Sequence, residues 1–113
     1  MIPPFGFLTP PESVLPPITG VLVLSLDYQT VGLTVVNWTG VSPTPDGYEL
    51  WRSTESEAPV LYHTTLSLGL TYGDTGIGEG VTYHYMVRAR SGRVVGAFSN
   101  ILPVFATVSD PIA

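Results

Sequence analysis

The side chains that most often do chemistry in proteins are few in this sequence, and their spacing does not suit it. There are two histidines, His63 and His84, and no cysteine. Two histidines make an incomplete metal site, and the nine carboxylates form no Asp-x-Asp-x-Asp run of the kind found in calcium loops. No nucleophile with a base and no placed pair of carboxylates is recognisable. The sequence therefore predicts no catalytic residue, no metal ligand and no cofactor, and a protein that is not an enzyme.

A glycine-rich stretch resembles a phosphate-binding loop only superficially. Its glycines are Gly73, Gly76, Gly78 and Gly80. They lead into a strand-like segment rather than the N-terminus of a helix, so the geometry that binds anions is missing. These glycines are expected to form turns.

The segment that follows, GVTYHYMVRARS (Gly80–Ser91), alternates with period two. Alternate side chains of a strand lie on opposite faces of its sheet. One set is predicted to face the core, and it consists of Tyr83, Tyr85, Val87 and Ala89. The other set is predicted to face outward, and it consists of Thr82, His84, Met86, Arg88 and Arg90. This outward row is either a contact surface or only a solvated one.

The composition, and the glycines and prolines that interrupt the apolar runs, indicate one all-β domain. The chain has 113 residues, 44% hydrophobic and 12% charged, which argues against disorder. Twelve glycines and eleven prolines separate short apolar runs, and no useful helical period occurs. Seven strands are predicted, at 21–28, 33–38, 48–53, 59–66, 70–74, 80–91 and 96–107, with Pro103 marking the last as an edge or bent strand. Seven short strands describe a β-sandwich.

Several motifs resemble the fibronectin type III family over residues 20–107. They are VNWTG (36–40), GYELWRST (47–54), LTYGDTGIGEGVTYHYMVRA (70–89) and SN (99–100). The most specific part is the spacing of Asp74, Ile77, Gly80, Tyr83, Tyr85, Val87 and Ala89. The resemblance implies an immunoglobulin-like sandwich. Trp38 would be its core tryptophan, and Tyr83 would be a corner tyrosine whose hydroxyl bonds to backbone upstream. The residues expected to be structural are Trp38, Tyr48, Leu50, Ile77, Tyr83, Tyr85 and Val87.

The resemblance also pairs the third strand with the sixth, which would put Glu49, Trp51 and Ser53 beside the outward row. One interpretation is a purely structural face, with Trp51 stacked on an arginine and Glu49 paired with another. The alternative is a partner-binding spot, since Trp, Met and Arg are enriched at interfaces. The candidate partner-binding residues of this face are Trp51, Met86 and Arg88.

The second predicted strand offers a further apolar face. If Trp38 points inward, Leu33 and Val35 point outward, and the first strand is apolar on both sides. Such a face is expected to be covered, either by the N-terminal segment or by another chain. Leu33 and Val35 are therefore added to the candidate partner-binding residues.

Residues 1–19 form a separate proline-rich segment with six of the eleven prolines. Proline fixes φ and favours extended backbone, so an extended arm is predicted. Its apolar side chains suggest docking, either across its own domain or on another chain; the partner-binding candidates are Ile2, Phe5, Phe7, Leu8, Val14 and Leu15. The predicted organisation is a docking arm at 1–19, the sandwich at 20–107 and a tail at 108–113.

Charge and targeting signals narrow the partners. The net charge is −5 with no lysine, so phosphate backbones would repel the chain and no nucleic-acid partner is expected. No apolar run is long enough for a membrane helix, and no membrane partner is expected. The first residues lack the basic region of a signal peptide, so export is not expected.

These features favour a structural or interaction module over an enzyme. A single unexported domain of this type resembles the small fibronectin-like proteins of tailed-phage particles. That resemblance implies a virion protein, a capsid decoration or tail accessory component, present in the host cytoplasm during assembly. Its partners would be a major capsid or tail protein, or other copies of itself. The alternative function is a carbohydrate- or cell-surface-binding module, with Trp51, Tyr48, Tyr62 and Tyr72 as stacking platforms.

Overall fold

The computed structural model describes Ile18, residues 20–66 and residues 69–109, apart from the side chain of Leu66. Eight strands occur there: β1 (Leu24–Thr30), β2 (Leu33–Trp38), β3 (Gly47–Thr54), β4 (Val60–Leu66), β5 (Thr71–Asp74), β6 (Thr82–Ser91), β7 (Val94–Val95) and β8 (Leu102–Phe105). This part of the chain contains no helix able to cross a membrane. The six arm residues named above lie outside the described residues.

The strands form two antiparallel sheets that pack face to face. The smaller sheet has the order β1-β2-β5. The larger sheet has the order β4-β3-β6-β7, and β8 pairs with the other end of β6. Strand β3 pairs with β6 from Gly47↔Arg90 to Thr54↔Tyr83. The predicted all-β sandwich is confirmed, and so is the pairing of the third strand with the sixth.

The first and last predicted strands are longer than those observed. Strand β1 begins at Leu24 rather than at residue 21, although the Thr39 amide still donates to the Val23 carbonyl at 3.1 Å. The last predicted strand becomes β7, an irregular segment and β8. In the irregular segment, the amide of Ser99 donates to the Val87 carbonyl at 2.7 Å and its hydroxyl accepts from the Val87 amide at 3.0 Å. The serine therefore satisfies β6 where a regular strand would otherwise do so.

The core lies between the sheets and follows the alternation of the strands. Strand β6 buries every second residue, from Tyr83 to Ala89. Leu50 of β3 and Val36 of β2, one from each sheet, are both fully buried in the same cluster. Trp38 and Tyr48 pack with their ring centroids 5.9 Å apart. Alternation with period two therefore decides which side chains form the core.

The crossover between the sheets is fixed by Tyr83. Its side chain is 7% exposed, and its hydroxyl accepts a hydrogen bond from the Gly78 amide at 2.7 Å. Gly80, between them, has a φ of +78°, in the region that favours glycine. The amide of Gly80 donates to the Ala106 carbonyl at 3.0 Å, which ties the turn to the segment after β8. This is the contact expected of a corner tyrosine.

We predict that Tyr83→Phe lowers the free energy of unfolding by about 1–3 kcal/mol, because the Gly78 amide loses its acceptor in a part-buried site. Urea denaturation followed by intrinsic fluorescence measures the loss. Tyr28→Phe is the matched control, since Tyr28 is 52% exposed and its change should cost little. A loss near zero in Tyr83→Phe would contradict the structural role of the hydroxyl.

Candidate interaction surface

One buried carboxylate joins the two sheets. Asp74, at the end of β5 in the smaller sheet, is fully buried. Its Oδ2 accepts from the Arg52 guanidinium at 2.8 Å and from the Tyr85 hydroxyl at 2.7 Å, both in the larger sheet. Its Oδ1 accepts from the Tyr62 hydroxyl at 2.8 Å and the Gly76 amide at 2.9 Å. Four donors thus occupy the lone pairs of this carboxylate.

An irregularity in β4 brings Tyr62 to this cluster. The register of β4 against β3 shifts between Leu50 and Trp51, so one extra β4 residue is left without a partner. Tyr62 occupies that position, between Leu61 and His63. The Arg52 guanidinium lies 3.8 Å from the centroid of the Tyr62 ring. The aromatic ring, the cation and the carboxylate therefore stabilise one another.

The environment favours the ionised form of Asp74. Burial by itself raises the pKa of this carboxyl group. The hydrogen bonds from Tyr85, Arg52, Tyr62 and the Gly76 amide outweigh burial and hold the pKa of Asp74 below its ordinary value. Burial, together with the hydrogen bond to Asp74, raises the pKa of Tyr85 far above the ordinary value of a tyrosine. Asp74 is therefore an anion and a hydrogen-bond acceptor, with no free lone pair for acting as a base.

The outer face of the larger sheet carries a second cluster around Glu49. Its Oε1 accepts from Arg88 Nε at 2.7 Å and from Trp51 Nε1 at 3.1 Å, and its Oε2 lies 3.4 Å from Arg90 Nε. Burial raises the pKa of Glu49, but these contacts outweigh it and the pKa lies below its ordinary value. Two arginines share one carboxylate, so the cluster keeps a net positive charge.

Arg88 also covers two aromatic rings on this face. Its guanidinium lies 5.2 Å from the Trp51 ring centroid and 4.8 Å from that of Phe98. The two rings meet edge to face, with their centroids 5.8 Å apart. Phe98 is 39% exposed, whereas Trp51 and Arg88 are half-buried. The same residues therefore support both interpretations of the outward row. The arginines are paired with Glu49, as in a structural face, and the Phe98 ring is still exposed, as in a partner-binding spot.

The apolar surface continues from these rings toward β8. Met86 pairs with Trp51 in the sheet register, and Ile101, 61% exposed, lies next to Met86. Together with Pro59, His84 and Ser53 they line a shallow hollow of about 120 Å³. The hollow and the Trp51–Phe98 pair form one surface, which we call the outer-face groove (Ser53, Pro59, Met86, Ile101, Trp51 and Phe98).

A second depression lies beside Phe98, on the side toward the N-terminus. It measures about 370 Å³ and runs between residues 20–23 and residues 97–100. Ile18 lines it and packs against Gly96, so closely that a Cβ at Gly96 would lie 3.1 Å from Ile18 Cγ2. Ile18 therefore lies beside Phe98, at the rim of the outer-face groove.

The other predicted site residues lie elsewhere. Val35 is 9% exposed and Leu33 is half-buried, so the outer face of β2 offers less surface than its sequence suggests. Tyr48 is buried, which removes it as a stacking platform. Tyr62 and Tyr72 pack edge to face at the β4 and β5 edge, 6.1 Å apart, and His63 stacks on Tyr72 at 4.1 Å.

Three residues of these clusters were not among the sequence-based candidates. Asp74 appears only in the spacing that carries the family resemblance, and neither Arg52 nor Phe98 is among the residues that the sequence pattern singles out. The signal that could have found Arg52 is its period, since it alternates with Leu50 on the inward face of β3, where a lone arginine needs an acidic partner. Phe98 lies in an irregular segment, where no period applies.

Comparisons with solved structures establish the fold class. An Fn3-like protein from Clostridium thermocellum matches with a TM-score of 0.61 and 25% identity over 84% of this chain and 98% of that one. The FN1–FN3 domains of chicken CNTN1 match with a TM-score of 0.66 and 14% identity over 80% of this chain and 30% of that one. The fold is therefore fibronectin type III-like.

A pectate lyase contains a region of similar fold. Pectate lyase PelI from Erwinia chrysanthemi, solved in complex with tetragalacturonic acid, matches with a TM-score of 0.66 and 20% identity over 74% of this chain. This chain spans only 28% of the length of that lyase. No family model and no curated protein sequence matches this chain.

We predict that Asp74→Asn lowers the free energy of unfolding by roughly 2–4 kcal/mol, because it leaves the Arg52 guanidinium without its counter-charge. This loss is slightly smaller than that expected from breaking a fully buried ion pair, because Arg52 is 19% exposed. Urea denaturation at neutral pH measures the loss. Asp27→Asn, at an exposed position of β1, is the control and should change stability little.

The same pair of proteins gives a pH test. Because the pKa of Asp74 is lower in the folded state, its contribution is fully present above the ordinary carboxyl pKa and disappears as the pH falls through the folded-state value. The difference in unfolding free energy between the native chain and Asp74→Asn should therefore shrink as the pH is lowered from 7 through 4 toward 2. A difference that stays constant would mean that the charge of Asp74 contributes nothing.

Proposed function

We propose that this chain is a non-enzymatic interaction module of a tailed-phage particle, a capsid decoration or tail accessory protein. It binds another virion protein, a major capsid or tail protein, through residues 1–19 and the outer face of the larger sheet. The observation that carries the binding role is the outer-face groove, where a half-buried tryptophan, an exposed phenylalanine and an arginine meet beside an apolar hollow. These are the residue types enriched at protein interfaces.

The state of the buried carboxylates supports a module that does no chemistry. Asp74 accepts from four donors and Glu49 from Arg88 and Trp51, with Arg90 beside it. A general base needs a lone pair within reach of a substrate proton. The lone pairs of Asp74 are instead occupied by donors of the fold, and Glu49 is held by two donors and a neighbouring arginine, which suits a rigid scaffold.

The virion setting follows from the resemblance of the sequence to small fibronectin-like proteins of tailed phages. It is consistent with the residues that the arm contributes. Phe5, Phe7 and Leu8 would each contribute about 1.5–3 kcal/mol if fully buried against a partner. Many copies on one lattice would multiply such contacts by avidity.

The test is incorporation into the particle. Deletion of residues 2–17 should leave the sandwich folded, as its amide spectrum shows, and abolish incorporation, measured by mass spectrometry of gradient-purified particles. Tyr28→Ala, on the outer face of the smaller sheet, is the control and should incorporate normally. Full occupancy by the truncated chain would show that docking runs through the sandwich alone. Absence of the native chain from particles would contradict the virion role.

A carbohydrate-binding role is the second candidate, and the similarity to part of a pectate lyase favours it. Arg88 and Arg90 beside Trp51 and Phe98 could hold a uronate carboxylate next to a stacked ring. Against it, Arg88 is already paired with Glu49 at 2.7 Å, so a uronate carboxylate would have to compete with that contact. Calorimetric titration with tetragalacturonic acid tests this candidate: binding that disappears in Arg88→Ala supports it, and no heat of binding excludes this ligand.

A further inference from the structure

The outer-face groove is exposed in the described part of the chain and begins where the N-terminal arm ends. Ile18 is anchored against Gly96 in the depression that Phe98 also lines. Phe98 contacts Trp51, and Trp51 pairs with Met86, beside Ile101. The path from Ile18 to Ile101 is therefore continuous. Whatever precedes Ile18 starts at one end of this groove.

The chemistry of residues 1–17 matches the groove. Six of these residues are prolines, in three Pro-Pro pairs, and Phe5, Phe7 and Leu8 lie between the first two pairs. Proline-rich segments in the polyproline II conformation dock in aromatic-lined grooves, because their backbone is already restricted and loses little entropy on binding. The groove provides an edge-to-face pair of aromatic rings next to an apolar hollow.

Length and charge agree with the same occupant. Seventeen residues of polyproline II span about 53 Å. The ten residues of β6, which run the length of the sheet, span roughly 33 Å, so the segment is long enough to cross the whole face. Glu12 is the one charged side chain of residues 1–17, and the groove is flanked by two arginines that share Glu49.

We propose that, in the free chain, residues 1–17 lie across the outer-face groove of their own domain. Attachment at Ile18 gives the segment a high effective concentration at its own groove, which favours this arrangement over binding to a second copy in dilute solution. The segment then covers Trp51, Phe98, Met86 and Ile101 until a partner displaces it. This inference concerns the free protein and does not depend on the virion role.

Paramagnetic relaxation in the full-length chain tests the proposal. The native chain has no cysteine, so Thr9→Cys carries a single spin label and leaves Phe5, Phe7 and Leu8 intact. The amide signals of Trp51, Met86 and Ile101 should lose about half of their intensity or more, as expected if the tether keeps the segment bound in most molecules. The amides of Tyr28, Val35 and Gly73, on the other sheet, are the internal control and should keep theirs.

A mixed sample separates the two possible sources of the effect. Spin-labelled chain at natural isotope abundance is mixed with ¹⁵N-enriched chain that carries no spin label. Only contacts between copies can then broaden the observed signals. No broadening is expected. Broadening of Trp51 and Met86 in this sample would overturn the proposal in favour of a second copy, and broadening on the Tyr28 face, or on no face, would overturn it outright.

A groove variant completes the test. Ile101→Asp changes a side chain that is 61% exposed, so the sandwich should keep its fold, which the amide spectrum checks directly. In this variant the broadening at Trp51 and Met86 should fall at least severalfold. The matched substitution Tyr28→Asp should leave it unchanged. Equal broadening in both variants would show that the segment does not use the groove.

Discussion

The structure depends on one buried carboxylate of the smaller sheet, Asp74, whose side-chain partners all lie in the larger sheet. A purely apolar interface would let the sheets slide, because hydrophobic contact is not directional. The hydrogen bonds of Asp74 are directional. Its two oxygens accept from Arg52, Tyr62 and Tyr85 only when the two sheets have one relative position. A slip of β5 by one residue would turn Asp74 to the outer face and leave Arg52 unpaired. The cluster therefore specifies register more than it adds stability, since buried ion pairs gain little over apolar packing.

The outer face repeats this arrangement with a different result. Glu49 holds Arg88 and Arg90 as Asp74 holds Arg52, but here the cations lie 25% and 38% exposed. Arg88 is thereby fixed over Trp51 and Phe98 rather than extended into solvent. A face whose polar groups are already paired presents its rings and methyl groups in one arrangement. Such a surface loses little side-chain entropy when something binds to it.

Local patterns in the sequence predicted much of the fold and little of the clusters. Alternation in residues 80–91 gave the buried side of β6, and the spacing around Tyr83 indicated the corner contact with Gly78. Asp74 lies between glycines and resembles a solvated turn residue, because its partners are far away in the chain. Tyr62, the extra residue in β4, is not indicated by any pattern in the sequence. The cover over Val35 likewise depends on neighbours outside its own strand.

Ile18 packs against the irregular segment of the larger sheet. Gly96 leaves room for Ile18 that a side chain would fill, and the adjacent residues 97 and 98 form the wall that leads to the Trp51–Arg88 pair. Ile18 is thus held beside the segment that carries Phe98. In the same way, Ser99 fixes that segment to β6 through both of its hydrogen bonds with Val87. The irregular stretch between β7 and β8 therefore places the Phe98 ring between Ile18 and Trp51.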